Sequence, residues 1–225
     1  MESVSLLPNE LIERAKKLNT TLLADVMGCT GSMDYRIKPV STGMEFVGTA
    51  MTVSLRPGDN LFLHEAIYSA REGLVLVVDG KGHTNNAYLG ELMASSAQAI
   101  GVEGIVIDGL VRDKKALEEL KFPIYSKGFN PNGPFKDGPG EINEVISCGG
   151  VRVAPGDLVV ADDDGVVIVP VDKIDEVLMK ASEKLSYEKK RLEAIAQYSH
   201  QEHPDPKSLA PKWLESKMKQ YKNRG

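Results

Sequence analysis

Glu91, Arg112 and Asp113 are the side chains whose types and spacing could do chemistry together. Glu91 follows Gly90 at the start of a stretch with helical periodicity, and Arg112-Asp113 close the strand-like run that begins at Ile105. A helix and a returning strand between them would turn both groups toward one crevice, because ligands of an α/β sheet bind beyond the carboxyl ends of its strands. A guanidinium there offers a planar, bidentate partner for a carboxylate. Asp113 offers the hard oxygen that Mg²⁺ prefers, and Mg²⁺ keeps several waters while taking one or two protein carboxylates. The unsatisfied amides of a helix start, from Gly90 through Glu91 and Leu92 to Met93, form a seat for an anion that glycine lets approach. On residue types alone a structural alternative stands beside this one: Asp113 caps the next helix and Arg112 pairs with a neighbour.

The elements that must position these groups are legible in the hydrophobic pattern. Asn9 to Leu18 predicts a helix, and Thr20 or Thr21 a cap for a second one through Val26. Gly43 to Leu55 is β-prone, and Arg56-Pro57-Gly58-Asp59 is a turn into a helix capped by Asp59 or Asn60. Asn60 and His64 fall on the first turns of that helix, which makes Asn60 a candidate substrate-binding residue. Leu74 to Val78 reads as a buried strand followed by a glycine-rich loop. Leu89, Leu92, Met93, Ala97 and Ile100 then share one helical face. Lys114 to Leu120 predicts a helix, FPIY a strand, and Gly128 to Gly140 an ordered loop. INEVIS, VRV, LVVA and VVIV predict short strands, and a helix begins at Asp172. The alternation of strands and helices argues for an α/β fold with a β-rich C-terminal half. One domain over 1–196 is expected, with 197–225 as a C-terminal extension holding a short helix around WLESKMKQYK.

Composition narrows the partners. A net charge of -5 supplies no basic stripe for nucleic acid or an anionic membrane surface. Two cysteines without a CxxC pair make a disulfide framework or thiolate zinc site improbable. MESVSLLPNELIERAKK lacks the basic head and apolar run of a secretory signal, so a cytoplasmic location is expected.

Glu91, Arg112 and Asp113, together with Gly90, Leu92, the strand end IDGLVRD, GPFKDGPGEIN and PGDLVVADDDGVVIVP, resemble the RraA-like family from about Asp25 to about Leu192. The resemblance implies a layered α/β/α, swivelling-domain-like fold with a C-terminal helix. It implies a class II aldolase acting on 4-hydroxy-4-methyl-2-oxoglutarate or 4-carboxy-4-hydroxy-2-oxoadipate, which also decarboxylates oxaloacetate. Asp113 would bind Mg²⁺ or Mn²⁺ directly, Arg112 would hold the pyruvyl group, and the amides of Gly90 to Met93 would contact its carboxylate. Glu91, and Glu188 from a neighbouring subunit, would act on the metal through water. Some aldolases of the family carry Asp where this chain has Glu91, and the extra methylene could shift such a water. A homotrimer or dimer of trimers with sites between subunits is implied. A second function class comes with the resemblance: a non-catalytic, ring-shaped regulator that binds a ribonuclease. A methyltransferase reading lacks the glycine-rich nucleotide turn it needs.

Other groups carry weaker signals. Asp162-Asp163-Asp164-Gly165 lacks the spacing of a calcium loop and reads as a strand turn. GKGHTNN lacks the phosphate-loop pattern and reads as a plain loop or a substrate lid that would include His83. Cys29 and Cys148 read as small packed residues, His200 and His203 as a chance pair in a polar tail, and neither Lys81 nor Lys114 is marked as a Schiff-base lysine.

Overall fold

The computed structural model describes residues 4–198 and 205–222. The chain divides into two compact units, Met1–Ala181 and Ser182–Gly225. The first holds helices α1 (Asn9–Ala15), α2 (Thr20–Val26), α3 (Leu61–Ser69), α4 (Glu91–Ile100) and α5 (Lys114–Leu120). Its strands are β1 (Lys38–Pro39), β2 (Phe46–Leu55), β3 (Leu74–Leu89), β4 (Gly104–Val111), β5 (Ile124–Ser126), β6 (Gly140–Ile142), β7 (Ile146–Cys148), β8 (Val151–Val153), β9 (Leu158–Asp162) and β10 (Gly165–Val169). Helix α6 (Ile174–Tyr198) begins in the first unit and runs into the second, which also carries α7 (Lys212–Lys222).

Four parallel strands in the order β5-β4-β3-β2 form the centre, joined in turn by α3, α4 and α5. The runs Leu74 to Val78 and Ile105 to Ile107 are buried throughout, as parallel strands covered on both faces must be. Helix α3 packs on α4 and α4 on α5, the row expected when right-handed crossovers step the same way along a sheet. From β2 the sheet continues antiparallel into β9 and β10, and β1 pairs antiparallel with β5 at the other end. The two edges nearly meet, because the Lys38 ammonium on β1 donates to the Asp164 carbonyl beside β10 at 2.5 Å. The layered α/β fold with its β-rich second half and C-terminal helix is the one expected.

Several local expectations are corrected. Asn19, not Thr20 or Thr21, caps α2 by accepting the Leu22 amide at 2.9 Å, which leaves Thr20 free to bind Asp162 through its amide and hydroxyl. The glycine-rich segment after Gly80 is no separate loop: β3 continues through it to Leu89, with register shifts against β4 that absorb the extra residues. Lys81, at φ 57, turns the chain within that irregularity. INEVIS splits into the end of β6 and β7, because Asn143 at φ 63 makes a left-handed turn between them.

Hairpin β7–β8 brings Cys148 and Gly149 over the middle of the sheet. Asp108 on β4 accepts the Gly149 amide at 2.8 Å and pairs with Lys127, which also reaches Asp34 at 3.5 Å. Its buried charge is thus partnered, as burial requires. In the second unit, Arg191 of α6 donates to the Leu209 carbonyl at 2.7 Å, while Trp213, Leu214 and Met218 of α7 are exposed.

Candidate active site

Strands β3 and β4 end side by side, and the Arg112 amide donates to the Leu89 carbonyl at 2.9 Å. The residues that follow each strand therefore meet. Gly90, extended at φ −139, stands at the N-cap of α4. A Cβ there would lie 2.3 Å from Asp113 Oδ2 and 3.1 Å from Arg112 Cγ and Nε, so the close approach depends on glycine. Into this space Asp113 Oδ2 accepts the Glu91 amide at 3.1 Å, with Arg112 Nε 3.8 Å from the same oxygen. Ala94 is the first amide to bond back within α4, to the Gly90 carbonyl at 3.1 Å. Of the expected anion seat, the Glu91 amide is thus already used by Asp113, and Leu92 and Met93 present the amides that the helix itself cannot satisfy.

The alternative in which Asp113 merely caps α5 is only half met. Asp113 occupies the N-cap position, but its side chain makes no cap hydrogen bond. Its backbone sits at φ 61 and ψ 40, a left-handed conformation that costs a non-glycine residue roughly 1–3 kcal/mol and that clusters at functional sites. The strained backbone turns the carboxylate back toward α4. Its side chain stays 44% exposed and that of Arg112 43%, so both remain open to a ligand.

Asn60 lies beneath this arrangement and is 2% exposed. Its Nδ2 donates to the Tyr88 carbonyl at 2.8 Å and touches Met93 Sδ at 3.3 Å, which places it under the first turn of α4. Among the described residues its Oδ1 is buried without a hydrogen-bond partner. The capping bond at α3 comes instead from Asp59, whose Oδ1 accepts the Leu61 amide at 2.9 Å. Leu92 departs from expectation: it is 84% exposed, because α4 turns Ala94 and Ala97 inward and leaves position 92 on the outer side of its first turn. Met93 is half-buried and Glu91 exposed. Glu188 belongs to the second unit, where it lies 4.0 Å from Lys184 on the same helix.

The weaker candidates take structural partners. Asp162 and Asp163 accept Thr20 and Gly43 donors in the β9–β10 turn. His83 Nε2 lies 3.0 Å from Asn86 Oδ1. Burial, with the Lys136 charge adding to it, lowers the His64 pKa. Lys81 pairs with Asp79, and Lys114 with Glu118 at 3.6 Å. Cys148 is packed as expected, and its thiol pKa is raised by burial and by the Asp108 and Asp79 charges. Cys29 is exposed, contrary to expectation, on a left-handed turn at φ 61 that keeps it out of the core. His200 and His203 lie outside the described residues.

Sequence reasoning does not reach Gly133, where a Cβ would stand 3.1 Å from Arg112 Nη1. The available signal was the density of asparagine in TNN and in NPNG, the segment that ends at Gly133 and is bonded to TNN.

Whether the site suits a divalent cation can be judged from its donors. No cluster of three or more His, Cys, Asp or Glu side chains exists among the described residues, so a closed multi-ligand cage is not built there. Asp113 Oδ2 accepts the Glu91 amide, and the carboxylate stays 44% exposed beside Arg112. That donor set fits an ion that keeps most of its waters, as Mg²⁺ does.

These features define a layered α/β protein whose candidate site sets a guanidinium and a carboxylate from the end of one parallel strand against the helix start that follows its neighbour. The chain belongs to the RraA-like family, described as Aldolase/RraA, which its residues 20–168 match. A Halalkalibacterium halodurans protein, provisionally named a 4-hydroxy-4-methyl-2-oxoglutarate aldolase, is 37% identical over 187 residues, which are 83% of this chain and 89% of that one. An uncharacterized protein from Pseudomonas syringae pv. tomato is similar in structure, with a TM-score of 0.77 at 26% identity over 86% of this chain and 95% of that one. The RNA-processing inhibitor RraA from Thermus thermophilis gives a TM-score of 0.63 at 30% identity, over 68% of this chain and 92% of its own. Among the described residues no helix is long and apolar enough to cross a membrane.

Proposed function

We propose that this chain is a divalent-metal-dependent, cytoplasmic aldolase that releases pyruvate from 4-hydroxy-2-oxo acids of the 4-hydroxy-4-methyl-2-oxoglutarate type and also decarboxylates oxaloacetate. The observation that carries the reading is the Gly90 gap, which lets Asp113 Oδ2 bond the Glu91 amide while Arg112 lies alongside. The name of the Halalkalibacterium relative supports it.

Asp113 would hold Mg²⁺ or Mn²⁺ directly, with Glu91, and Glu188 of a neighbouring copy in a homotrimer or dimer of trimers, acting through water. When bound, the cation supplies Lewis-acid polarisation of the 2-oxo group. Arg112 grips the pyruvyl carboxylate and 2-oxo oxygen, and its fixed positive charge faces the oxygen on which negative charge grows as the C3–C4 bond breaks. The Leu92 and Met93 amides at the start of α4 hold the same carboxylate. Asn60, locked by the Tyr88 carbonyl, supports the first turn that carries those amides. As the C3–C4 bond breaks, the 4-hydroxyl gives up its proton and C4 becomes a carbonyl that leaves as the second oxo product, the bond's electrons pass to an enolate, and a proton returned to C3 completes pyruvate. Loss of carbon dioxide from oxaloacetate leaves the same enolate, so one set of residues serves both reactions.

The test is a metal-supplemented screen of 4-hydroxy-2-oxo acids and oxaloacetate with pyruvate as the readout. Turnover by the native chain that disappears in Asp113→Ala and in excess chelator is expected; turnover indifferent to both would refute the mechanism. The similarity to the Thermus protein, an RNA-processing inhibitor, favours a second reading, a ring-shaped regulator that binds a ribonuclease. That reading predicts ribonuclease capture and no pyruvate.

A further inference from the structure

Arg112 lies between two glycine backbones. A Cβ on Gly90 would stand 3.1 Å from its Cγ and Nε, and a Cβ on Gly133 would stand 3.1 Å from its Nη1. Gly133 belongs to segment 128–133, which asparagine side chains lace to the outer part of β3. Asn86 Nδ2 donates to the Gly133 carbonyl at 2.6 Å, Asn132 Nδ2 to the Asn85 carbonyl at 2.9 Å, and Asn130 Nδ2 to the Thr84 carbonyl at 2.9 Å. The Ala87 amide adds a bond to the Asn132 carbonyl at 2.9 Å. The other end of the segment is anchored one residue before Arg112, where Val111 donates to Gly128 at 3.0 Å and accepts from Asn130 at 2.9 Å.

We infer that Asn86 and Gly133 are positioning residues for Arg112, forming with Asn130 and Asn132 a strap that fixes the guanidinium against Gly90; the inference rests on the role proposed above for Arg112. An arginine side chain has many rotamers to lose, and a half-exposed one samples them freely unless its surroundings confine it. Bidentate recognition needs the fork held in place, since a displacement of about 1 Å at a reacting centre costs about 100-fold in rate. Asn86 suits this work because its amide is engaged at both ends. His83 fixes Oδ1 at 3.0 Å, and Nδ2 therefore faces the Gly133 carbonyl. Gly133 does not use the left-handed freedom of glycine, having no φ in that region. What the position uses is the missing Cβ, which lets the backbone lie against the guanidinium.

Two variants test the strap by different routes. Gly133→Ala adds a methyl group beside Nη1 without backbone strain. Asn86→Asp keeps the shape and the oxygen that faces His83, and replaces the donor to Gly133 with an acceptor. Each is compared with the native chain in two readouts: the rate of phenylglyoxal modification of Arg112, followed by peptide mass spectrometry, and kcat and KM for pyruvate release at saturating Mg²⁺. The expected result is faster modification of Arg112 in both variants and a fall in kcat/KM of about 10- to 100-fold, both measured well below each variant's melting temperature. Native modification rates in both variants would overturn the inference, as would faster modification with native kcat/KM. A native chain that releases no pyruvate from any oxo acid would count against the aldolase reading alone, and the modification rates would then decide the strap.

Discussion

The Glu91 amide and the Asp113 carboxylate are joined at 3.1 Å across the ends of β3 and β4. The bond makes the start of α4 and the end of β4 one rigid corner. It also fixes which carboxylate oxygen the backbone engages. A carboxylate at a helix N-terminus is favoured by the helix dipole, and here that preference orients a side chain whose own backbone is strained.

Replacing Asp113 by Asn separates that bond from the carboxylate charge. Asn tolerates the left-handed region and keeps an acceptor for the Glu91 amide, so unfolding in urea should change by no more than about 0.5 kcal/mol. Pyruvate release should fall by about 100-fold or more, because the anionic oxygen is gone. A stable Asp113→Asn protein with near-native turnover would remove Asp113 from the chemistry.

Gly90→Ala attacks the same corner from the other side. The backbone at φ −139 accepts any residue, but the new Cβ would meet Asp113 Oδ2 at 2.3 Å. The carboxylate must swing away and release the Glu91 amide. A stability loss of about 1–3 kcal/mol is expected from the overpacking, and kcat/KM should drop on the order of 100-fold from the displaced groups. Calorimetric melting and the pyruvate assay read the two effects; an active Gly90→Ala protein would show that the gap is incidental.

The parts of the fold legible in the sequence are those set by long apolar runs. Leu74 to Val78 and Ile105 to Ile107 can only be buried strands, and the helices between them follow from periodicity. The ends of those strands are less legible. β3 runs on through Gly80, Lys81 and Gly82 because it pairs irregularly with β4, a tertiary effect that local propensity does not carry. Leu92 shows the same limit in reverse, since its apolar character suggests burial while it is 84% exposed. The Glu91 amide, Arg112 and Asp113 meet where β3 and β4 end. Apart from the density of asparagine in TNN and NPNG, the Gly133 contact with Arg112 left no mark in the sequence, because it depends on side-chain amides that pair across 47 residues, and such long-range pairs leave no periodic trace.

Asp59 should govern part of the acid response. It is 1% exposed and accepts the amides of Leu61, Asp137 and Gly138 at 2.9, 2.6 and 3.0 Å. Burial pushes its carboxyl pKa up, but the three amides and Arg56 outweigh burial and hold it below the ordinary value. A depressed folded-state pKa stabilises fully above the unfolded value of about 4, and that contribution fades as pH falls further toward the folded value. Urea midpoints measured between about pH 5 and pH 3 should therefore fall less steeply for Asp59→Asn than for the native chain. At neutral pH the variant should be less stable by roughly 1–3 kcal/mol, since an Asn amide cannot accept all three donors. Equal slopes would place the acid sensitivity elsewhere, with Asp34, whose pKa is depressed by Arg36, the next carboxylate to examine.

Tyr88 ties the turn before α3 to the bend in β3, and its loss should be felt in stability more than in chemistry. Its ring is fully buried against Gly80 and Gly109, where a Cβ would come within 2.6 Å of Cε2 at either position. The hydroxyl donates to the Gly80 carbonyl at 2.6 Å and accepts the Gly58 amide at 3.0 Å. Burial raises its pKa, so it remains a neutral donor across the physiological range. Tyr88→Phe keeps the ring but strands both backbone groups, at a cost of roughly 1–3 kcal/mol. The Tyr88 carbonyl that anchors Asn60 survives the change, so the support under α4 is retained and kcat/KM below the melting transition should stay near native. If the variant instead melts like the native chain and loses activity, the hydroxyl acts on the site and not on the scaffold, and the assignment of Asn60 as the link between them would have to be redrawn.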